Sequence, residues 1–140
     1  MKATHVPVFS LVNETAPADP AVAQRHFAAR LAVETDPSDV EADLGKGVPL
    51  VVVDARRRDS YEQEHVPGAI SLPYRTISPE TTSSFPKGVT VVVYCAGVYC
   101  NASTKAAVRL AALGFPVKEM IGGLDGWKVE GFPTRSGALP

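Results

Sequence analysis

The sequence predicts an α/β protein built on a parallel sheet, and two observations carry that reading. Leu50-Val51-Val52-Val53-Asp54 and Val89-Thr90-Val91-Val92-Val93-Tyr94 are nearly continuous apolar runs without the polar alternation of a half-exposed strand, the pattern of strands covered on both faces. Segments with helical start and stop signals separate the predicted strands, which argues for crossover connections and parallel pairing. At 140 residues the chain has the length of one domain with one proper core.

Residues 1–19 carry Pro7 and Pro17 and no convincing periodicity, and are read as a loosely held arm. Asp19-Pro20 has the form of a helix start, Asp as N-cap and Pro in the first turn; Val22, His26, Phe27 and Arg30 follow at helical spacing. A helix over 20–31 is expected, an element added to the domain, with Leu31 to Thr35 as a short edge strand. Asp36-Pro37-Ser38-Asp39 is a second helix start, and Gly45 and Gly47 end that brief helix. After the strand Leu50–Asp54, the polar stretch Arg58 to Glu64 reads as a short surface helix. Val66-Pro67-Gly68 forces a turn before the small strand Ala69 to Leu72. Thr76 to Lys87 is turn-rich and is expected to hold a short helix. Beyond Tyr94 and the loop that follows it, Ala102 to Leu113 places Ala106, Ala107, Leu110 and Leu113 on one helix face, with Gly114 closing it. Pro116 to Ile121 reads as the last strand, and Gly122-Gly123 leads to a helix around Asp125 to Glu130. The domain is drawn over 20–135, with 136–140 as a tail.

Apolar residues make up 45% and charged residues 21%, close to soluble globular averages, so neither disorder nor a membrane class is indicated. The longest apolar runs are far too short to span a bilayer. Met1 to Ser10 lacks the sustained apolar core and cleavage site of a secretory signal, so a cytoplasmic location is expected. A formal net charge of -1 gives no electrostatic reason to expect nucleic acid or an anionic membrane as partner. The two cysteines, Cys95 and Cys100, point to catalysis, redox chemistry or metal before a structural disulfide framework. No nearby His or further Cys completes a ligand set, so no metal is expected.

Cys95 falls at the carboxyl end of a buried strand, where ligands gather in parallel sheets. The loop Ala96-Gly97-Val98-Tyr99-Cys100-Asn101 and the helix after it turn amides and a positive dipole end toward one spot, with Gly97 supplying permissive backbone. Such a nest is expected to depress the Cys95 pKa, to hold an anion or to stabilise a persulfide.

Four motifs in order then resemble the single-domain rhodanese, or sulfurtransferase, family: Asp54-Ala55-Arg56, His65-Val66-Pro67-Gly68-Ala69-Ile70, Tyr94-Cys95 with its loop, and Gly122-Gly123-Leu124-Asp125-Gly126-Trp127. The resemblance covers roughly residues 31–133. It implies a three-layer α/β/α fold with a five-stranded parallel sheet in the order 3-2-4-5-1. It also implies sulfane-sulfur transfer through a persulfide on Cys95, with the loop Ala96 to Asn101 holding the transferred group. The implied partners are a small donor such as thiosulfate or a persulfide and a thiol, cyanide or protein acceptor, and no cofactor is needed. Many family members carry an arginine in this loop, whereas here those positions are uncharged. Arg56 and Arg75 are the candidate anion contacts; the plainer readings are Arg56 as a structural partner of Asp54 and Arg75 as a solvated loop residue.

Cys100 either resolves a sulfenic acid or persulfide on Cys95 by forming a disulfide or is a small, semi-buried loop residue, the reading favoured here. A non-enzymatic or redox-sensing module using both cysteines is the alternative function. A phosphatase or arsenate reductase ranks lower, because oxyanion chemistry calls for an arginine that closes the loop. His65 reads as a structural hydrogen-bonding residue of its turn, Trp127 as a core anchor, and His5 and His26 as peripheral. Tyr99 either lines the mouth of the pocket or packs on the sheet.

Overall fold

The computed structural model describes residues 6–140, so His5 and the first residues of the predicted arm lie outside the described part. Residues 6–19 are exposed and form neither helix nor strand. Asp19 caps α1 (Pro20–Val33), its carboxylate accepting from the Ala21 amide at 2.9 Å. The helix runs two residues past the predicted end, through an Arg30–Glu34 ion pair and the Glu34 amide on the Arg30 carbonyl. The predicted edge strand is thereby shortened to β1 (Glu34–Thr35). No residue of α1 is buried, and Val22, Phe27, Leu31 and Val33 are all exposed.

Asp36 caps α2 (Pro37–Gly45) through the Asp39 amide, as the sequence signal requires. β2 (Leu50–Asp54), α3 (Arg58–Gln63) and β3 (Ile70–Ser71) follow. Thr76 to Lys87 holds no α-helix: the only helical turn there is 3-10, over Tyr74–Thr76, and Thr81 side-chain bonds to Thr76 and Ser78 close the turns after it. β4 (Thr90–Tyr94), α4 (Ala102–Ala112), β5 (Val117–Met120) and α5 (Gly123–Val129) complete the chain.

The strands form one parallel sheet in the order β1-β5-β4-β2-β3. This is the order 3-2-4-5-1 read from the other edge. Alternation along the two central strands splits the core between the faces. Val52, Val92 and Tyr94 pack with Val40, Tyr61, Leu124 and Trp127 under α2, α3 and α5. Val53, Val91 and Val93 pack with Ala106 and Leu110 under α4, together with Ile77 and Phe85 of the turn region. Leu113, expected on the buried face of α4, is instead exposed at the cap position, where the helix has already left the sheet.

Candidate active site

β4 is central, paired with β2 on one side and β5 on the other, and Cys95 is the first residue beyond it. Register places Asp54 opposite Tyr94 and Glu119 opposite Val93, so the ends of three strands surround the cysteine. Cys95 is 2% exposed and lies in the wall of a cavity of about 840 Å³ formed by residues 95–101, Ser103, Thr104 and the segment Glu119–Gly123. Every predicted loop residue, Ala96, Gly97, Val98, Tyr99, Cys100 and Asn101, lines this cavity. Asn101 occupies the cap position of α4 without a side-chain cap bond.

The loop is tied down from α5. The Leu124 and Asp125 amides donate to the carbonyls of Cys95 and Ala96, both at 2.9 Å. That approach requires Gly123: its φ is +57°, and a Cβ there would overlap the Cys95 carbonyl oxygen and lie 2.9 Å from the Gly97 nitrogen. Gly97 serves by its lack of volume, and its backbone is not in the left-handed region. A Cβ on it would sit 2.7 Å from the Asp125 carboxylate. Tyr99 is 75% exposed at the mouth and donates its hydroxyl to that carboxylate at 2.9 Å.

The Cys95 sulfur donates to the Cys100 carbonyl at 3.2 Å and lies 3.2 Å from the Ser103 hydroxyl. Ser103 in turn donates to Glu119 Oε2, and Thr104 donates to the same oxygen at 2.8 Å. Ser103 and Glu119 went unmarked in the sequence. For Ser103 a signal was present, a polar residue on the buried face of α4 that Ala106 and Leu110 define; Glu119, beside Lys118 in β5, carried none.

The expected depression of the Cys95 pKa is not found. Burial pushes the Cys95 thiol up, the Ser103 hydroxyl and amide pull against it, and Cys100 adds to the rise. Cys100, half-buried, is shifted down: burial opposes this, but the Ala102 amide, the Cys95 thiol, the Ala96 amide and Lys105 outweigh it.

Neither Arg56 nor Arg75 lines the Cys95 cavity. Both border a second cavity of about 510 Å³, on the β2 side of the loop, reached by Ala96, Cys100 and Ala102. Arg56 holds the fully buried Asp54 carboxylate with its Nε and Nη2, the latter at 2.8 Å, and also donates to the Glu64 carbonyl. Arg75 donates to the Tyr74 hydroxyl at 2.9 Å. His65 is fully buried, its Nδ1 2.7 Å from the Tyr61 carbonyl and its ring stacked on Tyr61. Trp127 is buried and donates Nε1 to the Pro133 carbonyl.

A parallel α/β domain carrying a thiol on a loop between its central strand and the following helix is the class of protein this geometry defines. The rhodanese-like domain family matches residues 36–130, and the chain belongs to that family. A crystal structure of the BH2092 protein from Bacillus halodurans is 40% identical with a TM-score of 0.82, covering 86% of this chain and 88% of that one. The thiosulfate sulfurtransferase GlpE of Coxiella burnetii is 36% identical over 93 residues, 65% of this chain and 84% of GlpE. The HTH-type transcriptional regulator Rv0324 of Mycobacterium tuberculosis is 32% identical over 90 residues, 64% of this chain, but the match spans only 39% of the regulator. None of the described helices is long and apolar enough to cross a membrane.

Proposed function

We propose that this protein moves a sulfane sulfur from a donor to a thiophilic acceptor through a persulfide on Cys95. The observation that carries the reading is Cys95 itself, set beyond the central strand in the wall of the loop-lined cavity. Its likeness to the thiosulfate sulfurtransferase GlpE supports the same chemistry. In the first step the Cys95 thiolate attacks the outer sulfur of the donor, the sulfur–sulfur bond of the donor breaks, and the remainder leaves with the electron pair, as sulfite when the donor is thiosulfate. In the second step an acceptor thiolate or cyanide attacks the outer sulfur of the Cys95 persulfide and the Cys95 thiolate is regenerated.

The described residues that line the cavity include the Glu119 carboxylate and no Lys or Arg side chain. Coulomb repulsion from that carboxylate acts on thiosulfate and on a perthiolate donor alike, so stabilisation of either has to come from the loop amides. Incubation with glutathione persulfide or thiosulfate, followed by intact mass, tests the reading. The expected result is a gain of one sulfur atom that cyanide removes and that Cys95→Ser lacks. No gain with either donor overturns it.

Two free cysteines on one loop, with the Cys95 sulfur 3.2 Å from the Cys100 carbonyl, favour a second reading, a redox module in which the Cys100 thiolate displaces hydroxide from a Cys95 sulfenic acid and closes a disulfide. Stoichiometric peroxide should then give a reductant-reversible species lighter by two hydrogens that Cys100→Ser cannot form. Unchanged free thiols after peroxide would discard this reading.

A further inference from the structure

The Ser103 hydroxyl carries one proton and stands between two groups that want it. It lies 3.2 Å from the Cys95 sulfur, and it donates to Glu119 Oε2. The help a Ser103 hydroxyl can give a Cys95 thiolate requires that its proton point at the sulfur; while it points at Glu119, the hydroxyl presents Cys95 with a lone pair. The other polar neighbour, the Cys100 carbonyl 3.2 Å from the sulfur, is an acceptor only, so with Ser103 held on Glu119 one of the two can accept from a thiol and neither donates to a thiolate. Thr104 is placed differently: it is exposed, one residue along α4, and donates to the same Glu119 oxygen at 2.8 Å. If Ser103 turned away, the carboxylate would keep a hydrogen bond.

We propose that Ser103 is a switched hydrogen-bond donor to the Cys95 sulfur, held on Glu119 while Cys95 is a thiol and turned onto the sulfur once it is negatively charged, with Thr104 keeping Glu119 paired. Glu119 is then a positioning residue that acts through Ser103 and keeps the resting thiol protonated. Rotation about one side-chain bond swaps one charge-assisted hydrogen bond for another, and no covalent bond changes. The same turn would serve the terminal sulfur of a persulfide; that half rests on the sulfur-transfer reading, whereas the thiolate half does not.

The charged and titratable groups around Cys95 come from each neighbouring element: Cys100 on the loop, Glu119 on β5, Lys105 on α4 acting through Cys100, and Asp125 on α5, which is held by Tyr99. A through-space effect of the Glu119 charge alone would also hold the thiol protonated. The two are separated by whether the effect of Glu119 needs Ser103.

The test is the pH profile of iodoacetamide alkylation at Cys95, followed in a common Cys100→Ser background so that one thiol reports. It uses no sulfur donor, so its outcome is independent of whether the protein transfers sulfur. Glu119→Gln should free the Ser103 proton, move the midpoint to lower pH and speed alkylation near neutrality by about three- to tenfold, the worth of one hydrogen bond. Ser103→Ala should move the midpoint up. Thr104→Val, a change on an exposed side chain that leaves the core untouched, should strengthen the hold of Glu119 on Ser103 and also move the midpoint up. In the Ser103→Ala background, Glu119→Gln should have no further effect. The proposal is overturned if Glu119→Gln leaves the midpoint in place or raises it, if its effect persists without the Ser103 hydroxyl, or if Thr104→Val lowers the midpoint.

Discussion

Two cysteines on one loop receive opposite treatment. Cys95 sits among Tyr94, Ser103 and the loop backbone, where losing water disfavours the thiolate, and Cys100 sits where the Ala102 and Ala96 amides favour it. Since the folded Cys95 pKa lies above its unfolded value, the native state holds that proton more tightly. The associated stability is present below the ordinary thiol range and is lost as pH rises through the folded pKa. Unfolding midpoints measured from neutral to alkaline pH should therefore fall more steeply for the wild type than for Cys95→Ser, and equal slopes would contradict the direction given for Cys95. A second residue-scale consequence concerns Gly123. Gly123→Ala must move either the loop or the start of α5, because its Cβ would overlap the Cys95 carbonyl at a positive φ. We expect a loss of about 2 kcal/mol or more in denaturant melts, together with faster alkylation of Cys95 at fixed pH. The Gly-Gly pair was legible as a turn signal; that the glycine is needed to let two backbones touch was not.

The elements were legible to the degree that local chemistry makes them. Asp19-Pro20 and Asp36-Pro37 mark helix starts through caps that act within three residues, and both caps form. β2 and β4 read clearly because strands buried on both faces must be apolar throughout. The ends were less legible: α1 continues to Val33 through an ion pair, and the expected helix in 76–87 is replaced by turns built on Thr81. At the β2–β4 junction, Tyr94 donates to Asp54 at 2.7 Å and accepts the Val66 amide at 3.0 Å, so one hydroxyl links the strand before the cysteine to the turn after α3. Burial, reinforced by the Asp54 charge, holds the Tyr94 phenol far above its ordinary pKa. Tyr94→Phe leaves the Val66 amide unpaired inside the protein, and equilibrium unfolding should show a loss of about 1–3 kcal/mol. A variant as stable as the wild type would mean that the turn finds another acceptor. Leu110→Ala, on the buried face of α4, should cost about 2–5 kcal/mol in the same assay.

Across the whole molecule, the sheet divides the core in two and the carboxyl ends of β2, β4 and β5 meet at Cys95. The last residues hydrogen-bond back to the region around α3: His65 and Arg135 exchange backbone hydrogen bonds at 2.8 and 2.9 Å, and the Gly137 amide donates to the Glu62 carbonyl at 2.7 Å. Removing residues 135–140 strips the buried His65 amide of its acceptor and should lower stability by about 1–3 kcal/mol, whereas cutting residues 6–18 should leave the thermal midpoint unchanged because they are exposed. The sequence by itself determined the parallel α/β class, the helix starts, the position of Cys95 at a strand end and the family, since each depends on local pattern or on motifs in order. Only the tertiary structure decided that Arg56 is spent on Asp54, that the Cys95 cavity holds a carboxylate, and that Glu119 reaches Cys95 through Ser103. Those facts depend on parallel register, which brings β5 beside the end of β4, and on burial, which sets the charge state of a thiol by how much water it has lost.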